Sequence, residues 1–183
     1  MVTTSAALPL SYCACLLFSV VTKWFCVHSA KTVRDGSIIT SGRNYDFTFA
    51  IIFTNMAILW ISWFTLCSFD VYKINLPAVV RYFGIVINLL GAGLFFTALF
   101  TIKTLETYDG DLITKGIYSK VRHPMYLGFI CWLIGAPLLF GAAISFALAV
   151  LFIANVLFWR HLEEIELEKR FAGYRDYKIK TIF

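Results

Sequence analysis

The residues best equipped for chemistry crowd into one stretch, Leu112-Ile-Thr-Lys-Gly-Ile-Tyr-Ser-Lys-Val-Arg-His-Pro-Met-Tyr-Leu-Gly128, and a second group of charges follows between Arg160 and Glu168. Pro124 restricts His123 to extended backbone and suits the first position of a helix. A helix opening there turns unpaired backbone N–H groups and the positive end of its dipole toward a ligand, which suits a carboxylate or a phosphate. Tyr118 and Tyr126 offer aromatic faces that can take a cation, and Gly116 and Gly128 permit close approach of backbone or ligand. In the second group Glu163, Leu167 and Phe171 recur every four residues on one helix face, with Glu164 and Glu168 on the adjacent stripe. Arg160 stands one turn before Glu164, and an exposed ion pair between them is worth only tenths of a kcal/mol. By residue type alone, an Arg-His-Pro at the edge of an apolar segment serves equally well as an interfacial anchor. The acidic stretch is equally a solvated helix face.

The elements that must carry these groups are written in the composition. Of 183 residues, 60% are hydrophobic and 15% charged, and the mean hydropathy is +0.76. Four stretches lack any Asp, Glu, Lys or Arg, residues 2–22, 47–69, 82–102 and 126–159, and together they hold more than half the chain. A helix needs about 20 mostly apolar residues to cross the hydrocarbon core. The first three stretches can cross once each, and the fourth is long enough for two shorter arms. Gly135 and Pro137 interrupt its helical pattern, and Gly141 to Ala143 supply a turn, so each arm has roughly 17 residues. The expected fold is all-α: a polytopic membrane protein of five transmembrane helices, the last two a tight hairpin, followed by an amphipathic carboxyl-terminal helix. One integral membrane domain over 1–183 follows, with three crossings in 1–102 and the polar loop, hairpin and tail in 103–183. Gly84, Gly91 and Gly93, with Asn88 between them, form a small-residue strip best suited to close helix packing.

Charge sets the orientation. With five crossings, fourteen of the sixteen Lys and Arg residues fall on the first and third connections and the tail, and only Lys73 and Arg81 on the other side. The positive-inside rule then predicts an outside amino terminus, with the carboxyl terminus and the polar loop in the cytoplasm. This accounts for the net charge of +5 without nucleic acid. The amino-terminal stretch has no basic region before it, which argues against a cleaved signal peptide. Cys13, Cys15, Cys26, Cys67 and Cys131 lie in or beside apolar runs without metal-ligand spacing, and His28, His123 and His161 are far apart. No metal is expected.

Arg122-His-Pro-Met-Tyr-Leu-Gly128, preceded by Leu112-Ile-Thr-Lys-Gly-Ile-Tyr118 and followed after a hairpin by Glu163-Glu-Ile-Glu-Leu167 and Phe171, resembles the isoprenylcysteine carboxyl methyltransferase and phospholipid methyltransferase family of integral membrane enzymes. The likeness runs over about 109–177. It implies S-adenosylmethionine as methyl donor, held between the loop, the start of the hairpin and the tail helix. It would set Gly110, Asp111, Leu112 and Ile113 along the cofactor and Tyr118 beside it. His123, Pro124, Met125 and Tyr126 would form the core of the pocket, with Glu163 a polar anchor. The substrate-facing arginine of relatives matches Trp159, and Arg160, one residue on and about 100° around the helix, is the candidate catalytic residue. The segment from Phe171 to Tyr177 is one residue shorter than the pattern of many relatives.

The residue types suit that donor. A carboxylate accepts from hydroxyl or ammonium groups, an imidazole and backbone N–H groups serve a carboxylate, and Leu112, Ile113 and Met125 can cover a ring. The function implied is methyl transfer to a lipophilic acceptor from the bilayer, best read as a carboxylate such as that of an isoprenylcysteine. Two other readings stand beside it. One is a membrane sterol-type reductase using NADPH, with Lys115, Lys120 and Arg122 as candidate phosphate ligands. The other is a non-catalytic membrane protein whose loop anchors a partner or lipid.

Overall fold

A computed structural model describes residues 43–102 and 112–183, and their side chains at 54, 56–101 and 112–183. The expected crossing at 2–22 lies outside the described residues. Within them the fold is all-helical: α1 (Arg43–Ser68), α2 (Ala78–Ile102), a short 3-10 turn (Gly116–Ser119), α3 (Pro124–Phe140), α4 (Ala143–Arg170) and α5 (Tyr174–Lys180). They fall into two compact units, one holding α1 through Val71 and the other beginning at Tyr72. In α1, Trp63, Leu66 and Cys67 are buried, and Thr65 and Ser68 turn their hydroxyls onto the helix's own Ile61 and Thr65 carbonyls at 2.7 and 2.8 Å.

In the second unit, α2 opens at Pro77, whose carbonyl accepts from the N–H groups of Val80 and Arg81 at 3.0 and 3.3 Å. Thr97 and Thr101 donate to the carbonyls of Gly93 and Thr97, so neither hydroxyl needs water. The strip of small residues on α2 meets a matching strip on α3. A Cβ added at Gly91 would lie 2.9 Å from the Gly128 carbonyl oxygen and 2.8 Å from the Cys131 Cβ, and one at Gly84 would lie 2.6 Å from the Leu139 nitrogen. The two backbones therefore touch, as small residues allow where no side chain intervenes. Above this contact, Phe95 packs on Phe129 and Trp132 with ring centres 5.6 and 5.4 Å away. The Trp132 indole donates to the Asn88 carbonyl at 3.1 Å. Gly93 lies outside the strip, with nothing within 4 Å of where its Cβ would stand.

Gly135 and Pro137 do not interrupt the hairpin's first arm, contrary to the sequence expectation: α3 continues through both to Phe140. Gly135 is consumed by packing, because the Asn88 amide oxygen would stand 2.8 Å from a Cβ there. The arm ends instead at Gly141, whose φ of 62° is the left-handed conformation that glycine adopts without a Cβ clash. The Pro137 carbonyl accepts from Gly141 and, at 2.9 Å, from Ala142. The segment before α2 closes over this turn, Ile74 N–H donating to Gly141 at 2.7 Å and Ala143 N–H to Tyr72 at 3.0 Å. α4 then runs back for 28 residues, past its apolar part and through the acidic stretch. Loop, α4 terminus and α5 consequently share the end of this unit opposite the hairpin turn.

Candidate functional site

Pro124 opens α3 at its first position and His123 is the residue before the helix, its side chain making no capping bond. The imidazole is buried and points between two glutamates. Nδ1 stands 3.8 Å from Glu163 Oε2, and Nε2 stands 3.5 Å from Glu164 Oε1 and from the Tyr174 hydroxyl. Burial holds the His123 pKa below its ordinary value, against the pull of Glu163 and Glu164 and with help from Arg160 and Arg122. The ring is therefore neutral at pH 7. It offers one N–H and one lone pair, and the longer of its two carboxylate contacts is beyond hydrogen-bond range.

The adjacent glutamates play different parts. The Glu163 side chain is 46% exposed, whereas that of Glu164 is 7% exposed and surrounded by cations. Its Oε1 takes Arg122 Nε at 3.3 Å and its Oε2 takes Lys178 Nζ at 2.9 Å, while Lys178 also reaches Glu168 at 3.1 Å. Arg122 Nη1 donates further to the carbonyls of Lys178 and Thr181. Backbone bonds complete the knot, Arg122 N–H to Ile182 at 3.1 Å and Ile182 N–H to Lys120 at 2.9 Å. The Tyr177 hydroxyl donates to the Tyr118 carbonyl at 2.6 Å. Removing one partner of a buried pair such as Arg122 and Glu164 strands the other charge at a cost of about 3–5 kcal/mol. Glu164 thus fastens loop to tail, and Glu163 is the acid left with a free edge.

The other sequence candidates divide accordingly. Tyr118 is buried on the 3-10 turn, and burial, with Glu163 and Tyr177 acting the same way, pushes its hydroxyl pKa up. Pro124 is fully buried, and Met125 is partly exposed. Tyr126, also partly exposed, sets its ring centre 5.7 Å from that of His123. Leu112 and Ile113 are half-buried on the approach to the 3-10 turn. Gly110 and Asp111 lie outside the described residues. Arg160 does not pair with Glu164, whose carboxylate is taken by Arg122 and Lys178. Its guanidinium instead lies over the Phe183 ring, 4.6 Å from the centre. Trp159 is turned aside, its indole donating to Asn155 one turn back on α4 at 3.0 Å.

Tyr174, Lys178 and Thr181 have no role in the sequence reading, Arg122 only that of a phosphate ligand in the reductase alternative, and Glu164 only an ion pair with Arg160. One signal was present: Glu164 and Glu168 form a stripe of two acids, which calls for a cation, but Lys178 meets them only after the chain has turned at 171–173. The arrangement as a whole combines a half-exposed carboxylate, a neutral imidazole, the Arg160 guanidinium, whose Nε has no hydrogen-bond partner among the described residues, and the first amides of α3. Such a set can hold a molecule that carries both cationic and anionic groups.

A profile of the phospholipid methyltransferase family matches residues 49–173. Over 87 residues the chain is 36% identical to a protein-S-isoprenylcysteine O-methyltransferase of Saccharomyces cerevisiae, covering 44% of this chain and 34% of that protein. Over 80 residues it is 34% identical to protein-S-isoprenylcysteine O-methyltransferase B of Arabidopsis thaliana, covering 44% and 35%. The chain thus spans about a third of the length of these curated relatives.

Proposed function

This chain belongs to the phospholipid methyltransferase family, and we propose that it is a membrane-embedded, S-adenosylmethionine-dependent methyltransferase acting on a lipophilic carboxylate of the isoprenylcysteine kind. The observation that carries this reading is the meeting of the loop and the acidic stretch of α4 around His123, with Tyr126 and Glu163 both beside that ring.

The donor set fits the cofactor. Glu163 keeps a carboxylate edge for ribose hydroxyls or an ammonium group, the α3 amides suit a carboxylate, and Tyr118, Met125 and Tyr126 supply the bulk to cover a ring. Leu112 and Ile113 extend the same wall, and the family resemblance assigns Gly110 and Asp111, outside the described residues, to the cofactor as well. S-adenosylmethionine held there would supply a methyl group on a positively charged sulfur, and an ionised carboxylate would need to lose no proton to accept it. No general base is then required of the chain at neutral pH. Arg160 would orient the acceptor, and the loop and α4 would hold donor and acceptor together, which is where most of the rate gain of such a transfer can come from. Names of the relatives point to the isoprenylcysteine carboxylate as the acceptor type.

Embedding follows from surface. α2 over Ala78–Thr101 and α4 over Ala143–Arg170 are long and apolar enough to cross a membrane. Large side chains such as Tyr82, Phe83, Leu89, Leu90, Phe100 and Val150 stand exposed on them. Each such side chain left in water forgoes about 1.5–3 kcal/mol, so this surface belongs in lipid or against further protein. Five crossings, an outside amino terminus and a cytoplasmic site complete the proposal, on the charge distribution given above.

Thermal unfolding of the purified chain in detergent tests the assignment. S-adenosylhomocysteine raises Tm and NADPH does not, and Tyr126→Ala or Glu163→Ala abolishes the rise without lowering the ligand-free Tm. Stabilisation by NADPH alone would instead establish a reductase, and retained binding in both variants removes this pocket.

A further inference from the structure

The chain leaves the apolar part of α4 at Trp159 and returns to that level after α5. Lys178 lies against Glu164 and Glu168, at 2.9 and 3.1 Å, and farther along the Phe183 ring lies on the guanidinium of Arg160, the first charged residue after the run 126–159. Between these contacts Ile182 exchanges backbone hydrogen bonds with Lys120 and Arg122, just ahead of the helix that starts at Pro124. The end of the tail is thus held at the boundary between the apolar and the charged parts of this unit. Tyr174, Tyr177 and Thr181 turn inward there, while Ile179 is 84% exposed and Ile182 67%. Arg175 stands one turn before Ile179, Lys180 follows it, and Lys120 is a backbone partner of Ile182. All three cations are exposed and pair with no acid among the described residues. From Lys169 to Phe183 the chain carries five cations against the single acid Asp176.

We propose that the tail end is a clasp on the membrane surface: Ile179 and Ile182 enter the headgroup boundary of the leaflet from which α4 emerges, and Lys120, Arg175 and Lys180 bind its anionic headgroups. The inference rests on the embedding argued above and is independent of the methyl-transfer chemistry. Apolar side chains set among cations are the composition that seats a segment in an anionic interface. The apolar groups leave water, and the cations stay at headgroup depth, where phosphate and carboxylate groups meet them. Long cationic stems reach those groups from a backbone that stays outside the hydrocarbon. Height decides the occupant: the bonds to Lys120 and Arg122 hold Ile182 at the level where α3 begins, so the leaflet already lies against it. Seating also bears on the site. The same segment carries Lys178 and Thr181, which hold Glu164 and Arg122, so an anionic leaflet steadies the loop that presents His123.

The test uses the full chain without native cysteines, reconstituted in phosphatidylcholine vesicles with or without about one-third phosphatidylserine. A nitroxide is attached at Ile179→Cys, and its collisions with oxygen, which concentrates in lipid, are compared with its collisions with a water-soluble nickel chelate. Lys169→Cys, about 14 Å farther along α4 than Arg160, is the aqueous reference, and Leu90→Cys on the exposed face of α2 reports embedding. With phosphatidylserine present the label at 179 meets oxygen in preference to nickel, and the label at 169 does not. Arg175→Gln and Lys180→Gln each lower the ratio of seated to free tail about fivefold, and raised salt lowers it as well. The clasp is overturned if the label at 179 stays as open to nickel as the one at 169, or if its protection is the same without phosphatidylserine. Protection that grows with the protein-to-lipid ratio also overturns it, because a second copy then covers this face. Water exposure at Leu90 is a separate result, which removes the embedding and the clasp with it.

Discussion

His123 faces two carboxylates and still gives up its proton readily, because burial outweighs both of them. The unfolded chain binds a proton near pH 6.5 that the folded protein resists until lower pH. The stability gained is whole above about pH 6.5 and is lost as pH falls from there through the folded-state value. The Tm of the wild-type protein should therefore fall more steeply below that pH than the Tm of His123→Asn. Parallel curves for the two proteins would show that the ring is not held neutral by the fold. At this scale residue type singled out His123 and Tyr126 as candidates, and the family resemblance added Glu163. It could not tell which of the two consecutive glutamates turns inward, because that depends on where Lys178 and Arg122 arrive from elsewhere in the chain.

Helix pairing between α2 and α3 depends on glycine in a way that separates two neighbours on the same helix. At Gly91 an added Cβ meets backbone and cannot be accommodated by rotating a side chain, whereas at Gly93 it meets nothing. Gly91→Ala should cost about 1–3 kcal/mol through forced separation of the helices, and Gly93→Ala should be neutral or slightly stabilising. Reversible unfolding in mixed micelles measures both, and equal effects would refute the packing described here. The sequence marked all the small residues of this strip but not which of them lie in it. Period alone places Gly84, Asn88 and Gly91 together; only the partner helix, with Gly128 and Gly135, shows that Gly93 is outside. The same partner explains why Gly135 and Pro137 lie within α3: Asn88 needs the space at Gly135, and the turn residue is Gly141.

Across the molecule, the segment around Lys73 closes over the hairpin turn, while Lys180 lies on the tail at the far end of the same unit. If that unit spans the bilayer with its basic end in the cytoplasm, the two positions face opposite compartments. In a background without native cysteines, Lys73→Cys should react with an impermeant maleimide from outside and Lys180→Cys only after the membrane is opened. Labelling of both from one side would refute the orientation and the crossing count on which it rests.

Composition and the lengths of the charge-free runs were enough to specify helices of membrane-spanning size and to locate the polar loop between them, because transfer free energy depends on residue type and sums along the chain. The motif was enough to name the family, because its pieces, the Arg-His-Pro core, the hairpin and the Glu-Glu helix, follow one another in a fixed order along the chain. What required the tertiary structure was every pairing between distant segments: Glu164 with Arg122 and Lys178, Tyr177 with Tyr118, and Arg160 with Phe183. A helix face repeats every 3.6 residues, but which side chain another element reaches is set by how the loop and tail fold back upon α4, and no local periodicity encodes that.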